Sequence, residues 1–166
     1  AAWRSQFDQL VLGAPLLGNE NDDRAVMQII TADTQAYDDG ETAICFMGHG
    51  SDAAANAIYS DFQQRLHRAA YRNYYIGTVE ADPTLEQLLA LVRTGGNYKR
   101  VLLQPLMVVA GDHAHHDMAG EDDESWKRTF EKAGYEVTCI VKGLGELEGI
   151  RNIYVSHVRN CIKQML

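Results

Sequence analysis

At 166 residues, 46% of them hydrophobic, the chain has the size of one domain with a sizeable core. Its formal net charge of −8 argues against nucleic acid as a partner, because a phosphate backbone calls for a basic surface. No apolar stretch approaches the roughly 20 residues needed to span a bilayer, so no membrane association is expected.

The opening stretch AAWRSQFDQL lacks a basic region followed by an apolar run, so no signal peptide is expected. Leu10–Leu17 (LVLGAPLL) reads as a first strand, with Asn21 or Asp22 capping a helix on which Val26, Ile29, Ile30 and Tyr37 recur at helical spacing. Ala43–Met47 reads as a second strand, followed by a helix whose buried stripe is Ile58, Phe62, Leu66 and Ala69. Tyr74–Val79 is a third strand. Asp82 is placed to cap the next helix, with Pro83 at its first position, where a missing N–H costs nothing. Leu85, Leu88, Leu89 and Val92 give that helix its apolar face, and Gly95-Gly96 stops it. Val101–Val109 is a fourth strand, Trp126 and Phe130 mark another helix, and Tyr135–Val141 is a fifth strand. The last helix carries Leu147, Ile150, Tyr154, Val158, Cys161 and Met165 on one face.

Strands and helices that alternate in this way, with strands apolar throughout, predict one α/β domain over residues 1–166. Its core is a doubly wound parallel sheet of four to five strands flanked by helices on both faces. Ligands of such sheets bind at the carboxyl edge of the strands. His49, Glu80 and His113 each follow a strand-like run, so all three are expected at that edge. Two imidazoles and a carboxylate converging there suit a borderline divalent metal.

Each member also has a plainer explanation. GHGS at Gly48–Ser51 reads equally well as a glycine turn cradling a phosphate, with Ser51 or Asp52 capping the next helix, as in a flavodoxin-like domain. It lacks the P-loop lysine and does not complete GxGxxG. Glu80 alone reads best as an acid near a helix N-terminus, and Glu121–Glu124 as acids of a first helical turn. The run His113, His115, His116 and Asp117 has no such explanation, and holds three of the chain's six histidines. His67 falls at a helix end on the opposite edge, and His157 among packed positions of the last helix. Cys45, Cys139 and Cys161 are far apart and form no CxxC, which fits free thiols in a reduced, cytoplasmic setting.

FMGHG at Phe46–Gly50, the pair Val79–Glu80 and LMVVAGDHAHHDMAGEDDESW at Leu106–Trp126 closely resemble the anaerobic sirohydrochlorin cobaltochelatases of cobalamin synthesis, a group of class II chelatases. The resemblance extends through GLGE at Gly143–Glu146 and back to LGAPLL at Leu12–Leu17. It implies ATP-independent insertion of Co²⁺ into sirohydrochlorin, without an organic cofactor. The metal would be held by His49, Glu80 and His113, and Ni²⁺ or Fe²⁺ would share these ligands. His49 and His113 would be the catalytic residues, with His49 preferred as the base that takes a pyrrole proton. The family enzymes have two similar α/β halves, and this chain resembles the C-terminal one. The resemblance therefore implies a homodimer or a separate N-terminal half as partner. Retaining the ligands without the cleft would make a metal or tetrapyrrole carrier instead. Lys127 and Arg128 are candidates for a basic rim facing the substrate carboxylates.

Overall fold

A computed structural model describes residues 6–165. Four strands, β1 (Thr42–Gly48), β2 (Tyr74–Thr78), β3 (Arg100–Pro105) and β4 (Glu136–Cys139), form one sheet in the order β2-β1-β3-β4. Every neighbouring pair is parallel. Five helices alternate with them: α1 (Glu20–Thr34), α2 (Ala57–Arg68), α3 (Leu85–Gly95), α4 (Trp126–Lys132) and α5 (Glu148–Met165). The doubly wound class expected from the sequence is the one observed.

Alternation along the strands divides the core. In β1, all of which is buried, Ile44 and Phe46 face Val26, Ile30, Phe62, Leu66, Ile150 and Ile153 of α1, α2 and α5. Ala43, Cys45 and Met47 face the other way, onto Leu88, Val92, Trp126 and Phe130 of α3 and α4. Withdrawing a side chain such as Phe62 or Leu66 from water stabilises the fold by roughly 1.5–3 kcal/mol. Because α2 and α3 leave the sheet on opposite faces, the winding reverses between β1 and β3. A crevice opens at the carboxyl ends of strands where such a reversal occurs.

Several boundaries differ from the sequence reading. Leu10–Leu17 is not a strand. Gly13 and Pro15 interrupt it, Leu12 is 95% exposed, and only Leu16 and Leu17 dock on the α1/α2/α5 core. β3 stops at Pro105, beyond which Val108 and Val109 are exposed, and β4 is a short strand paired only with β3. Helix caps shift by a few residues: Asn19 accepts the Asp22 N–H at 3.0 Å, ahead of the expected Asn21 or Asp22. Thr84, not Asp82, closes a capping box with Gln87. Neither Ser51 nor Asp52 caps α2, since a 3₁₀ turn at Ala54–Asn56 intervenes. Ser125 caps α4, so Glu121–Glu124 lies before that helix rather than in its first turn. The buried stripe of α5 is Ile150, Ile153 and His157. Val158 and Met165 are turned outward with Val155 and Ile162.

Candidate metal centre

β1 delivers His49 to the reversal crevice, and the two glycines around it explain how closely its neighbours approach. A side chain at Gly48 would meet the Tyr59 ring at 2.2 Å. Gly50 has a φ of +92°, and a Cβ there would lie 2.8 Å from the Ala81 backbone nitrogen. With both approaches open, pairing of β1 with β2 continues past the strand ends. The Val79 N–H donates to the Gly48 carbonyl at 3.1 Å and the Glu80 N–H to the His49 carbonyl at 2.9 Å. Glu80 is thereby fixed beside His49, and its carboxylate points at imidazoles rather than at a helix end. Its Oε2 is 3.5 Å from His49 Nδ1 and its Oε1 is 4.0 Å from His113 Nε2.

His113 arrives from the other side of the crevice. After β3 the chain runs through Leu106–Asp112 and winds one π-helical turn over Ala114–Met118, pinned by the buried Ala114 and Met118. The segment leading to it is braced by the GLGE loop. Leu144 and Gly145 donate to the carbonyls of Met107 and Val108 at 2.8 and 2.9 Å, and a Cβ at Gly143 would strike the Val108 carbonyl at 2.6 Å. On the π turn His113 Nδ1 lies 2.5 Å from Asp117 Oδ2.

The two imidazoles meet edge to face, with ring centroids 4.9 Å apart. One donor atom each from His49, Glu80 and His113 lies within 4.8 Å of the others. Among the described residues this is the only such His/Cys/Asp/Glu group. The three side chains are 48%, 55% and 34% exposed, so an ion held here keeps open positions toward solvent. Beside His49 an apolar groove of about 770 Å³ runs between Leu16, Leu17, Ile58, Tyr59, Met107 and Leu144. The sequence reading did not identify this groove, because these residues come from four separate segments.

The other histidines are engaged elsewhere. His115 is exposed, and His116 Nδ1 pairs with Asp112 at 2.8 Å on the outer side of the turn. His67 bonds the Tyr74 carbonyl at 2.8 Å, and His157 is buried against Asp22 at 2.8 Å. The expected basic rim is not free: Lys127 is paired with Glu121 and Arg128 with Glu131, and each pairing raises the pKa of the cation. The cysteines are free thiols as expected. Burial raises both Cys45 and Cys139, the latter to about 11, so neither is a metal-ready thiolate.

The family model for cobalt chelatase (CbiK) matches residues 1–163. A sirohydrochlorin cobaltochelatase of Salmonella typhimurium is 38% identical over 161 residues, which is 96% of this chain and 59% of that protein. Sirohydrochlorin cobaltochelatase CbiKC of Nitratidesulfovibrio vulgaris is 33% identical over 159 residues, covering 96% of this chain and 56% of the relative. The chain thus spans less than three-fifths of the length of these relatives. With a match along nearly its whole length, the chain belongs to the cobalt chelatase family.

Proposed function

We propose that this chain binds Co²⁺ through His49, Glu80 and His113 and forms the metal-holding half of an ATP-independent sirohydrochlorin cobaltochelatase. One observation carries the reading: three donor atoms of a type suited to Co²⁺ lie within 4.8 Å of one another, and one of the three residues, His49, lines an apolar groove. The names of the two relatives support the same metal and substrate. Imidazole and carboxylate also take Ni²⁺ and Fe²⁺, so metal choice rests on supply and on the substrate.

Insertion exchanges protein ligands for pyrrole nitrogens. Two pyrrole N–H bonds break, Co²⁺ enters the ring, and two protons leave. His49 and His113, each neutral while it holds the ion, regain a lone pair as the metal departs. His49 takes the first pyrrole proton and His113 the second. Glu80 offsets part of the metal charge until transfer. A three-ligand site releases its ion where a closed four-ligand site would retain it. The apolar groove beside His49 suits the face of a tetrapyrrole ring rather than its carboxylate-bearing edge, and no organic cofactor enters the scheme.

Residues 1–166 are in this reading one α/β domain equivalent to the C-terminal half of the longer relatives. The opposing wall comes from a second copy or from a separate N-terminal half. No helix among the described residues is long and apolar enough to cross a membrane. The three free thiols favour the reducing cytoplasm.

Calorimetric Co²⁺ titrations of His49→Ala, His113→Ala and His115→Ala, with insertion followed by absorbance on the complete assembly, test the proposal. His113→Ala should weaken binding at least about tenfold, or roughly 1.4 kcal/mol, and His115→Ala should change little. His49→Ala should reduce insertion more than binding. Wild-type affinity in both the His49 and His113 variants would eliminate the site, and tight binding without turnover in the complete assembly would indicate a carrier.

A further inference from the structure

Imidazole offers a metal only the nitrogen that carries no proton, so a histidine ligand works when something fixes which nitrogen that is. In this chain the fixing group for His113 is visible, and it belongs to neither the metal ligands nor the groove. The Asp117 carboxylate lies 2.5 Å from His113 Nδ1, while the opposite nitrogen, Nε2, faces Glu80 Oε1 at 4.0 Å. An ionised carboxylate only accepts hydrogen bonds, so the short contact requires the proton on Nδ1. In the neutral ring the lone pair then sits on Nε2, the atom that faces Glu80.

Resting on the metal-site reading above, we infer that Asp117 is the positioning residue of the centre: it locks His113 in the Nδ1–H tautomer and holds its ring edge-on to His49. The lock is built into the turn. His113 and Asp117 are four residues apart, flanking a π-helical winding in which the Ala119 N–H donates to the Ala114 carbonyl at 3.2 Å. Gly120 closes the winding, its N–H donating to the His116 carbonyl at 3.1 Å, and a Cβ at Gly120 would sit 2.2 Å from that oxygen. Buried Ala114 and Met118 anchor the turn from inside. Carboxylate–histidine–metal relays of this kind typically contribute 10–100-fold in metal affinity.

The same turn supplies its own control. Asp112 and His116 form a second pair four residues apart at 2.8 Å, but these side chains are 88% and 69% exposed and His116 is not among the clustered donors. His49 is held differently again, with Nδ1 at 3.1 Å from the Gly50 carbonyl and no carboxylate dedicated to it alone.

The deciding experiment needs no turnover. Long-range ¹H–¹⁵N correlation of the metal-free protein, at a pH of about 8.5 where an ordinary imidazole is neutral, reads the tautomer directly. The wild type should show His113 protonated on Nδ1, and Asp117→Ala should shift it toward Nε2–H. In Co²⁺ titrations Asp117→Ala should bind 10–100-fold more weakly. Asp117→Asn, whose amide oxygen still accepts from Nδ1, should fall between that variant and the wild type, and Asp112→Ala should match the wild type. Wild-type His113 carrying its proton on Nε2 would overturn the inference, as would Asp117→Ala with unchanged tautomer and affinity. If Asp117→Ala does not fold, the wild-type tautomer and Asp117→Asn decide, since wild-type affinity in the latter counts against the lock. His49→Ala and His113→Ala variants that both still bind Co²⁺ normally would refute the metal-site reading instead, leaving the tautomer result to judge Asp117 alone.

Discussion

The spacing between His49 and Glu80 depends on a residue with no side chain. Gly50 occupies the left-handed region at φ +92°, with the Ala81 backbone where a Cβ would go. Gly50→Ala should therefore cost roughly 1–3 kcal/mol, read as a lowered urea midpoint, and should weaken Co²⁺ binding without removing any ligand. Unchanged affinity would mean that the Glu80–His49 backbone bond does not set the site. The three clustered side chains were legible in the sequence, because each ends an apolar run and parallel strands bring such ends to one edge. Asp117 was visible only as an acid in a histidine-rich loop. Its pairing with His113 depends on how a π turn winds, and residue periodicity carries no signature of that turn. The pairing of Lys127 and Arg128 was hidden for a related reason: their partners Glu121 and Glu131 are local, and the sequence shows charges but not which of them pair.

At the level of elements, the amino edge of the sheet is tied together by charge. Asp39 accepts the Glu41 N–H at 3.0 Å and bonds Arg100 at 2.8 Å; Lys99 and Arg100 also engage Glu41. The Glu41 N–H, then Thr42 and Arg100, hold the Asp39 carboxyl down to about 2. A carboxyl lowered on folding contributes stability that is complete above its unfolded value near 4 and is lost as pH falls toward 2. Urea melts across that window should therefore show a steeper acid loss for the wild type than for Asp39→Asn; identical slopes would indicate that the network is too solvated to matter. The elements that could be read from the sequence are those with strong periodicity and dense burial: α1, α2, α3 and the three long strands. Leu10–Leu17 misled because leucine content resembles a strand, although Pro15 has no N–H to pair and no sheet edge receives the segment. On α5 the apolar positions run round too much of the helix for periodicity to choose a buried face. Packing against α1, with His157 bonded to Asp22, selected Ile150 and Ile153 and left Val155, Val158 and Ile162 outside.

For the whole molecule, the exposed stripe on α5 and the proposed cleft make association with a second α/β half the state to test. Sedimentation of the chain alone should give twice its 18.5 kDa, or a monomer that inserts cobalt only when a separate half is added. A monomer active unaided would contradict the assembly. His49, Glu80 and His113 follow β1, β2 and β3, three strands side by side in the sheet but far apart along the chain. An unfolded chain does not gather them, so an ion held as proposed would act as a staple across the sheet, and its binding free energy would add to that of folding. At free Co²⁺ a hundredfold above the dissociation constant, the gain is about 2.7 kcal/mol, and the melting temperature should climb with metal concentration. On the proposed function the chain would be most resistant to unfolding while loaded, and delivery of its cargo would return it to the less stable of its two states.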